Sequence, residues 1–259
     1  MLKALVFDVD GTLAETEDLH RQAFNRAFSA LGLPWQWEPA LYADLLRVMG
    51  GKERFAHYVE TAHPRDAEAL LARLPEIHGL KTRIYGGLVE SGVLRLRPGI
   101  ARLVAEAKAA GMALAIATTT SRPNVDALLD ANFPEGARPF DVIAAGDEAA
   151  RKKPAPDIFL LALERLGIGP DEAVAFEDSA AGIRSALDAG LPVIATRSRY
   201  TPSHRLDGAF SAISDLGEPG HPHGHIAGVS WPGGVVTLSA LRDWHDGRDP
   251  SERVPDRGM

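Results

Sequence analysis

Hydrophobic positions change rhythm several times along this chain. Lys3 to Phe7 forms a short run of β-compatible apolar types that ends in Asp8-Val9-Asp10-Gly11-Thr12, which predicts a buried first strand followed by a polar turn. From Glu15 to about Leu31 the period becomes helical, with Leu19, Ala23, Ala27 and Leu31 on one face. Helical character continues to about Ser91, with breaks at Gly32-Leu33-Pro34, Gly50-Gly51, His63-Pro64 and Gly86-Gly87. No strand is predicted between Ala14 and Gly92, so a helical block interrupts the chain just after its first strand.

Strand-then-helix alternation begins again at Arg97-Pro98-Gly99. Helices are predicted over 100–110, from about Asn124, over Pro156–Leu166 with Gly167 as C-cap, and over Ala180–Ala189. Strands are predicted at Met112–Ala117, Asp141–Ala145, Ala173–Phe176 and Pro192–Ala195. Such repeats imply right-handed crossovers and a parallel sheet. The fold class expected is therefore α/β, a Rossmann-like doubly wound core over 1–14 and 95–259 with an inserted α-helical domain over 15–94. Beyond Asp215 the pattern weakens. Gly217 to Gly234 is crowded with Gly, Pro and His, Val235 to Trp244 is read as one last strand or helix, and His245 to Met259 as a polar mobile end.

Composition narrows the function classes. Of 259 residues 45% are apolar, enough for a sizeable core. No run reaches the roughly 20 apolar residues of a membrane span, and no secretory signal is evident. Cysteine is absent, which excludes thiolate chemistry and cysteine metal sites. A net charge of −7 argues against nucleic acid but not against a small phosphorylated ligand, which needs only a few local cations. A cytoplasmic, monomeric protein with no membrane partner is expected.

Ligands of open parallel sheets bind outside the carboxyl ends of the strands. Three expected strands end in reactive residues there: Asp8 and Asp10, then Thr118, then Glu177 and Asp178, with Lys153 in a loop of the same half. Phosphoryl transfer asks for this set. A carboxylate and a phosphate dianion repel each other, so a hard cation such as Mg²⁺ must lie between them, bound by one or two carboxylates and substrate oxygens. Asp8 can be both ligand and nucleophile, with Asp178 completing the metal site and Glu177 as a further candidate. Lys153 can neutralise developing charge, Thr118 can donate to a phosphate oxygen, and Asp10 can act as general acid, then base. Each residue alone also has a purely structural explanation: Asp8 as a turn former, Thr118 as a strand end, Lys153 as a solvated lysine, Glu177-Asp178-Ser179 as a helix cap. Turn chemistry gives no reason for all of them to fall at strand ends in one order.

These residues resemble the motifs of the haloacid dehalogenase-like superfamily. Asp8-Val9-Asp10-Gly11-Thr12-Leu13 is similar to its first motif, Thr118 to the second, Lys153-Pro154-Ala155-Pro156-Asp157 to the third, and Glu177-Asp178 with Ser179 and Gly182 to the fourth. The resemblance implies an aspartyl-phosphate on Asp8 and Mg²⁺ held by the Asp8 and Asp178 carboxylates and the Asp10 carbonyl. The helical insertion resembles that family's mobile cap, whose substrate-binding candidates here are Glu17, His20, Gly50, Gly51, Lys52, Arg54, His78 and Lys81. Gly50-Gly51-Lys52 is no Walker loop, since Leu46 and Glu53 replace the required residues.

Within the superfamily the chain resembles the CbbY type, phosphatases for xylulose-1,5-bisphosphate, an inhibitor of Rubisco in the Calvin cycle. The segments that carry this are Ala14 to Asn25, Gly50 to Arg54, Ala117 to Ser121 and Lys152-Lys153-Pro154. The resemblance implies that Thr119, Thr120, Ser121 and Asn124 flank the transferred phosphate, and that Gly50 to Arg54 with His78 and Lys81 bind the distal part of the sugar bisphosphate. β-Phosphoglucomutase shares core, cap and metal and is the nearest rival, with phosphatases for phosphoglycolate or hexose phosphates after it. A non-catalytic binder is disfavoured because every ionisable motif residue is retained. His221, His223 and His225 are read as a solvated loop rather than a metal site.

Overall fold

A computed structural model describes residues 1–63, 65–92, 94–134, 137–202 and 205–247. Its centre is a seven-stranded sheet of order β3-β2-β1-β4-β5-β6-β7. The strands are β1 (Ala4–Phe7), β2 (Ala113–Thr118), β3 (Val142–Ala145), β4 (Ala173–Glu177), β5 (Val193–Thr196), β6 (Ser211–Ile213) and β7 (His225–Gly228). The first six run parallel and β7 runs antiparallel to β6.

Side-chain size alternates along the central strands and sorts the two faces. Leu5 and Phe7, Leu114 and Ile116, and Val174 and Phe176 enter one core layer, whereas Ala4 and Val6, Ala115 and Ala117, and Ala173 and Ala175 enter the other. Alternate residues of a strand face opposite ways, so the period-two pattern of large and small residues makes one bulky and one shallow face. Helices α8 (Asp157–Leu166) and α9 (Ala180–Asp188) pack on the shallow face through Ile158, Phe159 and Ile183. Helices α6 (Ile100–Ala109) and α7 (Arg122–Asn132) cover the bulky face, where Phe7 stacks on Phe176 at 4.4 Å between centroids.

Between β1 and α6 lie α1 (Glu17–Ala30), α2 (Pro39–Leu45), α3 (Gly51–Ala62), α4 (Ala67–Ala72) and α5 (Leu74–Glu90). These helices enclose an aromatic cluster of their own, with Phe24, Phe28, Trp37, Tyr42 and Phe55 fully buried. The Asn25 amide fastens the α1–α2 connection by bonding both the N–H and the C=O of Trp37. Two connections join the block to the sheet, at Ala14 and Leu96, which form an isolated antiparallel bridge with each other.

The C-terminal part departs from the sequence reading. Strands β6 and β7 were not expected, and Val235–Trp244 resolves as helix α10 (Leu238–Asp246), with the Thr237 side chain accepting from the Ala240 N–H. His245 is buried in α10, where its Nε2 lies 2.8 Å from the Asp171 carbonyl, so it is not part of a polar end. Asp246 ends the same helix, and residues 248–259 of that expected mobile segment lie outside the described residues. The solvated-loop reading of the three histidines also needs correction: His225 opens β7 and His223 is 8% exposed. Among the described residues these histidines form no metal cluster.

Candidate active site

All the strand ends named in the sequence meet at one rim. Register places Phe7 beside Ile116 and Phe176, so the residues that follow β1 lie beside Thr118 and Glu177. Gly11 has φ +80°, and a Cβ there would come 2.2 Å from Asp178 Oδ2, so this glycine both turns the chain and admits the Asp178 carboxylate.

Lys153 is the fixed point beneath the rim. Its ammonium donates to Asp8 Oδ1 at 2.6 Å, to Glu177 Oε1 at 2.5 Å and to the Ala117 carbonyl at 2.9 Å, which uses all three of its protons. The other Glu177 oxygen accepts from the Asp178 N–H and from Ser179, so Glu177 is fully engaged in holding Lys153 and the turn. Burial pushes the Asp8 carboxyl up to about 8, with Glu177 and Asp10 adding to the rise and Lys153 opposing it. Burial and the charges of Glu177 and Asp8 likewise push Asp178 well up. Lys153 stays charged, because Asp8 and Glu177 outweigh its own burial.

Asp8 and Glu177 thus share one ammonium, with Asp178 a third carboxylate beside them. Ligand atoms from Asp8, Glu177 and Asp178 all lie within 4.8 Å of one another, and an oxygen-liganded divalent cation fits this excess of buried negative charge. Asp8 and Asp178 are the side chains free to hold it, since Glu177 is spent on Lys153.

A second chain of contacts reaches from the rim into the helices. Asp10 Oδ1 accepts from the Thr16 hydroxyl and lies 3.0 Å from His20 Nε2. His20 Nδ1 lies 2.8 Å from Lys81 Nζ, and the ring stacks on Tyr85 at 4.0 Å. An ammonium only donates, so Nδ1 must be the acceptor and Nε2–H the donor to Asp10. The imidazole is therefore neutral, in keeping with burial and Lys81 lowering its pKa. Burial works against charge on Asp10 as well, but the hydrogen bonds from His20 and Thr16 and the charge of Lys81 prevail and lower its pKa.

Above the rim lies a cavity of about 520 Å³. Asp8, Asp10 and Asp178 line it from the sheet, as do Thr119, Thr120, Ser121 and Asn124 from the start of α7. Glu17, His20, Gly50, Gly51, Lys52, Arg54, His78 and Lys81 line it from the helical block. Buried Ser121 Oγ, Asn124 Oδ1 and Arg54 Nε have no protein partner among the described residues, which leaves them available to a ligand. Gly50 has φ +91° and precedes α3, and Gly51 lets His78 approach, since a Cβ there would lie 3.1 Å from His78 Nε2.

Three of the residues named in the sequence have partners within the protein. Thr118 and Glu177 are buried behind the cavity, and the Thr118 hydroxyl accepts from the Thr120 N–H. Lys52 is paired with Asp147 at 2.5 Å. Other lining or supporting residues went unnoticed in the sequence. Tyr42 donates to Glu17 and accepts from Arg54, Tyr200 donates to Asp18, and Thr201 donates to Asp178 Oδ2. They follow no spacing rule, because they belong to helices and loops folded over the rim from elsewhere.

Comparison with known proteins agrees with this geometry. Residues 2–190 match the model of the haloacid dehalogenase-like hydrolases. The plasmid-borne protein CbbY of Cupriavidus necator is 45% identical over 95% of this chain and 98% of its own length. Protein CbbY of Rhodobacter capsulatus is 52% identical over 83% of this chain and 94% of its own. A crystal structure of CbbY (mutant D10N) from Rhodobacter sphaeroides, in complex with xylulose-(1,5)bisphosphate, superposes with a TM-score of 0.77 at 48% identity, covering 84% of this chain and 97% of that one. The chain belongs to the haloacid dehalogenase-like hydrolase family, where it stands beside the CbbY proteins as a phosphatase.

Proposed function

We propose that this enzyme hydrolyses a sugar bisphosphate, xylulose-1,5-bisphosphate, to xylulose-5-phosphate through an aspartyl-phosphate on Asp8. The observation that carries the reading is the cavity's two-sided lining. Asp8, Asp10 and Asp178 come from the sheet, while buried Arg54 and Lys81 come from the helices, which suits a ligand with one phosphate to transfer and another to hold. The complex of the Rhodobacter sphaeroides relative with that bisphosphate supports the choice of substrate.

In this mechanism Lys153 fixes one Asp8 oxygen, and the other attacks phosphorus, displacing the sugar oxygen. Asp10 is a carboxylate in the present arrangement; an incoming phosphate dianion raises its pKa so that it arrives protonated and donates to the leaving oxygen. Asp10 then takes the proton from the water that opens the aspartyl-phosphate, with neutral His20 holding its orientation through Nε2–H. Asp8, Asp178 and the Asp10 carbonyl would hold Mg²⁺, whose charge offsets the repulsion between nucleophile and phosphate. Thr119, Thr120, Ser121 and Asn124 would flank the transferred phosphate, with Thr118 setting their loop from beneath. Glu17, Arg54, His78 and Lys81 would receive the distal part of the sugar. The helical block, residues 15–94, acts as a cap that excludes water. In the cell this activity would clear a Rubisco inhibitor of the Calvin cycle from the cytoplasm.

Phosphate release is the test, measured from xylulose-1,5-bisphosphate, ribulose-1,5-bisphosphate, phosphoglycolate and β-glucose-1-phosphate with Mg²⁺. A preference for the xylulose compound that is lost in EDTA and in Asp8→Asn is expected. Equal release from all four would overturn the substrate, and conversion of β-glucose-1-phosphate to its 6-phosphate would identify a mutase.

A further inference from the structure

Lys52 lies in the first turn of α3, directly after Gly50-Gly51, yet its charge is directed at protein rather than held open for a ligand. Its ammonium lies 2.5 Å from Asp147 Oδ2, and the other oxygen of the same carboxylate lies 2.8 Å from Lys152 Nζ. Asp147 follows β3 in the short helical turn Gly146–Glu148, so the contact crosses the cavity mouth from the cap to the sheet. Lys152 is tied down further, 2.6 Å from the Gly146 carbonyl, and is only 16% exposed. The half of the bridge on the sheet is thus built in advance, while Lys52 comes from the first turn of α3 in the helical block.

We infer that Asp147 is a positioning residue that closes the cap by drawing Lys52 onto the sheet beside Lys152, so Lys52 serves closure and leaves the distal phosphate to Arg54 and Lys81. The inference rests on the reading of residues 15–94 as a cap. An ordinary exposed ion pair biases an equilibrium only about two- to five-fold. This one differs because a single carboxylate separates two lysines. Neutralising Asp147 removes the attraction and leaves Lys52 facing Lys152, so opening is favoured beyond the loss of one pair. Neutralising Lys52 removes attraction alone and has the smaller effect. The bond also makes specificity conditional: a ligand too small to reach Arg54 and Lys81 meets a cap already drawn shut by protein charges.

Because the chain has no cysteine, a spin label can be placed at each of two exposed sites, Glu60→Cys on α3 and Glu164→Cys on α8, with no background labelling. Their separation, read by pulsed electron resonance on the full chain without substrate, reports closure directly and does not depend on which ester the enzyme cleaves. Asp147→Asn is expected to shift the distribution to longer distances, at least five-fold in the ratio of long to short. Lys52→Met is expected to shift it less. The charge swap Lys52→Glu with Asp147→Lys restores the short distance. An unchanged distribution in Asp147→Asn, or a swap that stays open, would overturn the inference. A failure of phosphate release from xylulose-1,5-bisphosphate would instead concern the proposed function alone.

Discussion

The ammonium of Lys153 sits 2.6 Å from Asp8 Oδ1 although 145 positions separate the two in the chain. Neither side chain is open to bulk water, with Lys153 at 0% and Asp8 at 8% exposure. Truncating the lysine therefore strands two carboxylates, Asp8 and Glu177, in a low-dielectric site. Lys153→Met is expected to cost about 3–5 kcal/mol of stability, the usual penalty for breaking a buried ion pair from one side. It should also lower kcat by about 10²–10³, as expected for loss of one preorganised charge on the transferring group. Urea unfolding and steady-state phosphate release check the two effects separately.

Asp8→Asn should give the opposite sign on stability. Burial and neighbouring negative charge disfavour the Asp8 carboxylate, and an amide removes that repulsion while keeping the shape. Turnover is expected to fall by several orders of magnitude while the calorimetric midpoint in EDTA stays equal or rises. A lower midpoint would contradict the electrostatic account of the site.

Lys81 supplies a pH signature. Burial brings its pKa from 10.5 down to about 8. Between those values the unfolded chain holds the proton and the native site does not, so this group makes stability rise with pH from about 8 to 10.5. Below pH 8 both states are protonated and the burial cost is constant. Urea midpoints at pH 8 and pH 10 should show this rise in the native enzyme and a smaller one in Lys81→Met. Activity should decline through about pH 8 as the Lys81 charge is lost, and that alkaline limb should be missing from the weaker activity of Lys81→Met.

Magnesium should stabilise the protein through the crowded carboxylates. A ligand at 100 times its Kd adds about 2.7 kcal/mol, enough for a clear rise in melting temperature. The rise is expected in the native chain and absent in Asp178→Asn, measured by thermal melts with Mg²⁺ against EDTA. A full response in Asp178→Asn would move the cation elsewhere.

Glycines offer a paired control on packing. A Cβ on Gly182 would fall 1.9 Å from Glu177 Oε1, so Gly182→Ala displaces the carboxylate that holds Lys153. A loss of about 1–3 kcal/mol is expected, together with lower activity. Gly86 lies inside α5 with nothing within 4 Å of such a Cβ, and Gly86→Ala should gain about 0.5–1 kcal/mol. Denaturant midpoints decide both.

The core strands were legible because each is a short apolar run closed by turn chemistry, and because central parallel strands are buried on both faces. The C-terminal edge was not. Strand β6 spans only Ser211–Ile213, and β7, His225–Gly228, is exposed along its whole length, so neither has the apolar signal of a buried strand. What defines them is pairing to a neighbour, together with contacts such as the Trp231 indole N–H on Ser211 Oγ and the stacking of Trp244 on Phe210.

The same division holds at the site. Asp8, Asp10, Lys153, Glu177 and Asp178 could be named from the chain because each ends or follows an element whose direction the hydrophobic pattern sets, and parallel strands deliver their ends to one rim. Which partner each residue takes was decided only in three dimensions. The sequence does not show that Glu177 is spent on Lys153, that Thr118 is turned beneath its loop, that Lys81 makes His20 neutral, or that Asp147 claims Lys52. Local periodicity fixes where a backbone turns. The charge and hydrogen bonds of a buried side chain depend on whichever groups the remote chain brings within a few ångströms, and that only the closed tertiary structure sets.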